Sequence, residues 1–329
     1  MEDLALARAL WLVVPGGLWA CVATLLSPSP AAPPAPGGAD RRLTAGVMGF
    51  ALAVCAALAV EPRLRDGGGW RYNGDGGLLL GAPAELWIGV ALLWGAVPAR
   101  LAYRGWWVVP AVVGADAVLW ACVSGPPGSG ALVEAASAVS LARTALAACT
   151  AVASASLARW TLSDRRVGLR AAAQGAWFWV MALDVLPAVA ADALGEAPLV
   201  LGVYGAAVVL PWIALFAAAG RAFVVEGKGT LIPLDPPRRL VTTGPYAWIA
   251  NPMQVAAVGA WLSLAALRGR WWLVGAAVVE VVYATGFAAG HEAEVLPRTL
   301  GPAWVAWRGG VRAWWPRWLG WAPDGGDRG

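Results

Sequence analysis

Lysine is all but missing from this 329-residue chain: of its 24 basic residues only Lys228 is not an arginine. Histidine occurs once, as His291, which excludes a metal site built from several imidazoles. Charge of either sign is scarce. Only 13% of the residues are charged, against about a quarter in a soluble domain. The four cysteines, Cys21, Cys55, Cys122 and Cys149, lie far apart in apolar segments with no CxxC spacing. That pattern excludes a zinc ribbon or a disulfide framework and reads as small buried hydrophobes. The N-terminus opens with Glu2 and Asp3, not with the basic region of a secretory signal.

What is abundant is apolar surface. Hydrophobic residues make up 59% of the chain and the mean hydropathy is +0.63. No soluble core of this size hides so much, so the bilayer must take it. The net charge of +4 is no sign of nucleic-acid binding, because arginine in a membrane protein reports topology first. The richness in Ala, Gly and Arg points to a GC-rich bacterial genome and hence to a bacterial cytoplasmic membrane. Apolar runs near the roughly 20 residues that span a bilayer recur nine times: Leu10–Leu26, Thr44–Val60, Leu78–Val97, Trp106–Val123, Ala131–Leu157, Ala171–Leu194, Leu199–Ala219, Met253–Leu267 and Trp271–Ala289. A lipid-exposed strand would leave backbone groups unsatisfied. The expected fold class is therefore all-α, a polytopic transmembrane helical bundle of about nine spans.

Arginine orients the bundle. With nine spans and the C-terminus in the cytoplasm, 17 basic residues fall on the cytoplasmic side and six on the other, with Arg143 inside a span. This is the positive-inside bias. The last two spans are separated only by Arg268-Gly269-Arg270 and read as a C-terminal helical hairpin. The tail carries Trp304, Trp307, Trp314, Trp315, Trp318 and Trp321 among arginines, the pattern of an interfacial tail helix. Two regions result: an N-terminal bundle over 1–195, without a legible motif, and a C-terminal core over 196–329. Ionisable residues inside spans are costly and often functional. They are Glu85, Asp116, Arg143, Asp184 and Glu280. Asp116, Asp184 and Glu85 are the candidate partners of Arg143.

Two polar segments flank the hairpin. The first, GKGTLIPLDPPRRLVTTGPYAWIANPMQ over 227–254, is dense in Gly and Pro and reads as an ordered, turn-rich loop. Pro252 suits the first turn of a helix, with Asn251 as its N-cap. The second, HEAEVLPRTLGPAWVAWRGGVRAWWPRW over 291–318, begins with Glu292 and Glu294. A hairpin brings both to one membrane face, so one site can draw on both. A helix N-terminus holds a carboxylate, and acids face a cation.

These segments resemble the paired signature of the isoprenylcysteine carboxyl methyltransferase family, relatives of phospholipid N-methyltransferases. Gly227, Gly229, Thr230, Pro233, Leu240, Val241, Gly244, Pro245, Tyr246, Asn251, Pro252 and Met253 stand in register with its first block. Glu292, Leu296, Gly301, Val311, Trp314, Pro316 and Arg317 match its second. Trp304 and Trp307 replace tyrosines. The chain departs from the pattern at Ala250, where the family has arginine, and at Gln254, Ala293 and Leu300. The likeness covers roughly residues 200–320.

The resemblance implies S-adenosylmethionine as methyl donor and a membrane-embedded hydrophobic acceptor, a lipid or isoprenoid-like molecule with a carboxyl, amine or hydroxyl group. It implies catalytic roles for Asn251 and Glu292. Donor binding would fall to Gly244, Pro245, Tyr246, Asn251, Pro252, Met253, Gln254, His291, Glu292, Glu294 and Trp304, with no metal. The expected partners are the bilayer and the acceptor, with no nucleic acid. Two other classes stay open: a membrane protein that keeps the fold without the chemistry, and a transporter using Glu85, Asp116 and Asp184.

Overall fold

The computed structural model describes residues 38–66, 70–73, 78–129, 131, 133–197, 199–232 and 237–322. The chain divides into two compact units. One comprises Met1–Arg166 and Trp177–Pro198, the other Val167–Ala176 and Leu199–Gly329. The expected span Leu10–Leu26 lies outside the described residues.

The first unit is built from α1 (Gly38–Asp66), α2 (Ala84–Arg104), α3 (Val108–Val123), α4 (Ser137–Leu162) and the later turns of α5 (Val167–Leu194). Helix α2 is central, with 72% of its span buried inside the protein. It crosses α1 at backbone contact. A Cβ at Gly95 would lie 2.7 Å from the Cβ of Ala53, and one at Gly49 would lie 2.6 Å from that of Ala99. Each helix thus presents a small residue four positions from another, the pattern that lets membrane helices approach closely.

Two expected spans begin later than hydropathy suggests. Leu78–Leu79 and Ala82–Pro83 form a two-residue hairpin ladder, β2 and β3, before α2 starts. Val133–Ala135 (β5) pairs with Trp70–Tyr72 (β1) and with Ser124–Gly125 (β4), so α4 starts at Ser137. The physical reason is Glu134, which faces Arg71 across the ladder at 3.3 Å. At the other end of these helices Arg41 meets Asp164 at 3.6 Å, and Arg159 donates to the Ala102 carbonyl at 2.7 Å. The start of α1 and the ends of α2 and α4 therefore share one basic end of the unit, as alternating spans require.

Two of the intramembrane charges, Arg143 and Asp116, pair with each other. Arg143 and Asp116 are 1% and 0% exposed. One guanidinium nitrogen lies 2.6 Å from Asp116 Oδ2, while Trp94 Nε1 donates to Oδ1 at 2.7 Å. The cation is also flanked by the Trp94 and Trp120 rings, at 4.9 and 4.2 Å. Asp184 is not a partner of Arg143; it bonds Arg63. Cys55 is buried, but Cys122 and Cys149 are exposed on helix faces rather than in the core.

The second unit contains Val167–Ala176, α6 (Gly202–Gly227), α7 (Pro252–Arg268), α8 (Trp272–Val282), α9 (Ala289–Leu300) and α10 (Pro302–Gly310). Helices α6 and α7 pack through Trp212, whose ring lies against Gly259 and whose Nε1 donates to Ser263 Oγ at 3.0 Å. A π turn at Tyr283–Ala288 joins α8 to α9. The expected tail helix ends early. Over residues 311–322 the chain is not helical, because the Gly309-Gly310 pair stops a helix and Pro316 cannot re-enter one.

Among the described residues, five helices are long and apolar enough to cross a bilayer: Leu43–Val60, Ala84–Arg104, Ser137–Leu162, Val167–Leu194 and Gly202–Gly227. Val108–Val123 and Trp272–Gly286 are apolar but shorter.

Candidate functional site

The site begins where α6 ends. Its last turn, Phe223–Gly227, is a π turn, a form in which one extra residue per turn re-aims side chains and which is common at functional sites. It sends the chain into the loop through Lys228, which takes the left-handed conformation. The Gly227 carbonyl then accepts from Arg238 N at 2.7 Å, and Thr243 bonds Glu226. The loop is thereby folded back on the helix that precedes it.

Deeper in the same unit, Thr230 is buried and accepts from Gln174 Nε2 at 3.2 Å, while Gln174 Oε1 accepts from Leu231 N at 2.8 Å. Gln174 belongs to the helical segment Val167–Ala176. One side chain thus pins the start of the first signature segment from a distant part of the sequence.

The turn Gly244–Ala247 places Tyr246 inward. Its ring is buried and stacks at a tilt on Phe223, with centroids 5.0 Å apart. Pro252 then starts α7. Asn251 occupies the N-cap position but makes no capping bond. The sequence reading of Asn251 as the N-cap holds for its position, and its side chain adds no capping bond.

The second segment is stitched onto the first. Trp307, only 6% exposed, donates from Nε1 to the Tyr246 carbonyl at 3.1 Å. Beyond α10 the tail runs along the loop. Ala250 N donates to Arg312 O at 2.9 Å and Asn251 N to Ala313 O at 3.2 Å. Arg317 N donates to Trp248 O at 2.9 Å and Trp321 N to Ala247 O at 2.8 Å. The tail tryptophans divide accordingly. Trp304, Trp307 and Trp321 pack on the core of the site, whereas Trp315 and Trp318 are 72% and 98% exposed and suit the headgroup level.

Between the two segments lies a small, half-open cleft with about 50 Å³ of interior space open to water. Phe223, Tyr246, Trp304 and Trp307 give it aromatic walls, and Asn251 and Arg308 are its polar members. Arg268 at the other end of α7 donates to the Val200 carbonyl at 2.5 Å, next to the start of α6. The cleft therefore sits at the end of this unit opposite the Arg268–Arg270 turn, where α6 ends and α7 begins.

Residues 206–302 match the phospholipid methyltransferase family. No curated protein and no solved structure matches the chain. The family segment supplies α6, the loop, the hairpin and α9, and it ends as α10 begins. Trp304, Trp307 and Arg308, which complete the cleft, lie just beyond it.

Of the residues expected to act, Tyr246, Asn251 and Trp304 line the cleft. Gly244 and Pro245 shape the turn beside it, with Gly244 at φ 56°. Pro252 is buried at the start of α7, Met253 packs on the core of the site, and Gln254 is half-buried in the same helical turn. None of these five lines the cleft. His291, Glu292 and Glu294 lie on α9, and their side chains lie outside what the structure describes. Sequence reasoning passed over Gln174, Phe223, Pro237 and Arg308. Arg308 read only as one more arginine in a tryptophan-rich tail.

Proposed function

We propose that the chain is an S-adenosylmethionine-dependent methyltransferase acting on a hydrophobic acceptor drawn from the bilayer. One observation carries this reading: both signature segments, far apart in sequence, wall a single cleft. The lining also suits the donor, with aromatic faces for a sulfonium or an adenine ring, and an amide and a guanidinium for a carboxylate.

When bound, the donor supplies a methyl group on a sulfonium; an acceptor lone pair displaces it in line, the C–S electron pair returns to sulfur, and an amine or hydroxyl acceptor releases its proton. The chain's own part is positioning and exclusion of water. Tyr246 and Phe223 fix one wall, Trp307 closes the other, and Asn251 offers an amide inside an otherwise apolar space. Glu292 is proposed to face the donor's cationic groups. The acceptor is a lipid or isoprenoid-like carboxyl, amine or hydroxyl. In this reading the chain crosses the membrane nine times with its C-terminus in the cytoplasm, where the donor is found.

The transporter reading loses its main candidate, because both carboxylate oxygens of Asp116 are bonded in a closed cage. The test is calorimetric binding of S-adenosylmethionine to the detergent-purified chain, together with transfer of a labelled methyl group into a membrane lipid extract. Binding with transfer, both lowered in Asn251→Ala, is the expected result. Binding without transfer into any extract would favour a non-catalytic relative, and no binding to folded protein would refute the reading.

A further inference from the structure

Among the described residues that line the cleft, one is charged, and it is a cation that the family resemblance does not assign. Arg308 sits in the last turn of α10. It is half-buried, and one of its guanidinium nitrogens donates to the Val311 carbonyl at 3.2 Å, at the end of its own helix. That bond uses one of five N–H donors and fixes the direction of the side chain. The Trp307 bond to the Tyr246 carbonyl just before this point, and the bonds between residues 312–321 and Ala247, Trp248, Ala250 and Asn251 after it, anchor the chain on both sides. Arg308 is therefore held in register with the loop, not left to wander on the surface.

The opposite element of the lining makes the cation meaningful. Ala250, where the resembled family carries an arginine, is a small buried residue of the same cleft. Asn251, its neighbour, leaves its side chain free of capping duty. The first turn of α7 presents backbone N–H groups that have no helical partner, which adds positive potential at the same end. An apolar, aromatic-walled cleft with positive character from one guanidinium selects a ligand with an apolar or aromatic body and one anionic group.

We infer that Arg308 is the anion-recognition residue of this cleft and holds the α-carboxylate of S-adenosylmethionine, supplying from α10 the cation that position 250 lacks. The inference rests on the methyltransferase reading above and adds a residue to it. A carboxylate accepts a guanidinium in two parallel bonds, which fixes orientation as well as affinity. The donor's methyl group is then oriented by a grip at its far end.

The experiment compares S-adenosylmethionine with its decarboxylated analogue, by calorimetry, on the full-length detergent-purified chain. Wild type, Arg308→Gln, Arg308→Lys and the control Arg221→Gln are measured. The wild type is expected to prefer the carboxylated ligand. In Arg308→Gln that ligand binds about tenfold to hundredfold more weakly, the range for losing a charge-assisted hydrogen bond, while the decarboxylated analogue binds as in the wild type. Arg308→Lys retains part of the preference, and Arg221→Gln, on an exposed face of α6, retains all of it. Unchanged preference in Arg308→Gln overturns the inference and leaves the methyltransferase reading standing. If Arg308→Gln does not fold, the lysine variant and the wild type decide: a wild type that binds both ligands equally also overturns it. A folded wild type that binds neither ligand overturns the underlying reading itself.

Discussion

Arg143 and Asp116 form an ion pair, 2.6 Å apart, at the centre of the first unit, and both are shut away from solvent. The pair is completed by Trp94, which donates to the second carboxylate oxygen, and by Trp120, whose ring lies 4.2 Å from the cation. Such a pair is costly to assemble and more costly to break from one side. Asp116→Asn is therefore expected to destabilise the fold by about 3–5 kcal/mol. The double variant Asp116→Leu/Arg143→Met, which removes both charges, should recover most of that loss. Thermal unfolding in detergent measures both. A double variant as unstable as the single one would show that the pair stabilises beyond its own charges.

The α6–α7 contact is tight at one point. A side chain at Gly259 would meet the Trp212 ring at 2.5 Å. Gly259→Leu is expected to cost about 1–3 kcal/mol through overpacking, whereas Gly275→Leu on α8, where a Cβ meets nothing within 4 Å, should be neutral. A lower melting temperature for the first variant alone checks the packing.

Gln174 holds Thr230 and Leu231 by two hydrogen bonds within the second unit. Gln174→Ala removes the acceptor of the half-buried Leu231 N–H and one donor to the buried Thr230 hydroxyl, a loss of about 1–3 kcal/mol. Faster hydrogen exchange should appear at residues 229–232 first. Exchange that rises evenly over the whole chain would place the role of Gln174 elsewhere.

Asn251 separates structure from function. A capping asparagine replaced by alanine normally loses about 1 kcal/mol of stability, but the Asn251 side chain makes no cap bond. Asn251→Ala should therefore melt within about 0.5 kcal/mol of wild type, as surface changes do, and bind S-adenosylmethionine more weakly. A large loss of stability with unchanged binding would reverse the assignment.

The sequence carried the parts of this fold that obey periodicity and length. Each of the expected spans from Thr44–Val60 onward has a helical counterpart, because an apolar run bounded by Gly, Pro or Arg leaves the chain few alternatives. What it did not carry depends on pairing across distance. Glu134 reads as a flaw in a span until Arg71 is seen opposite it. Asp184 and Asp116 are equivalent candidates for Arg143 until the helices are packed. In the site, spacing located the turn at Tyr246 and the start of α7. It had no means of choosing Arg308 among the tail arginines, because that choice is made by backbone bonds from residues 312–321 to the loop.

Those bonds set an order of construction. The Tyr246 carbonyl waits for a donor that lies 61 residues further along, and Ala247 waits for Trp321. While the hairpin is being threaded into the bilayer, one bank of the cleft is already made and the other is still inside the ribosome. A chain cut short after α10 would carry every residue that lines the cleft yet lack the backbone bonds from residues 312–321 that hold the two banks together.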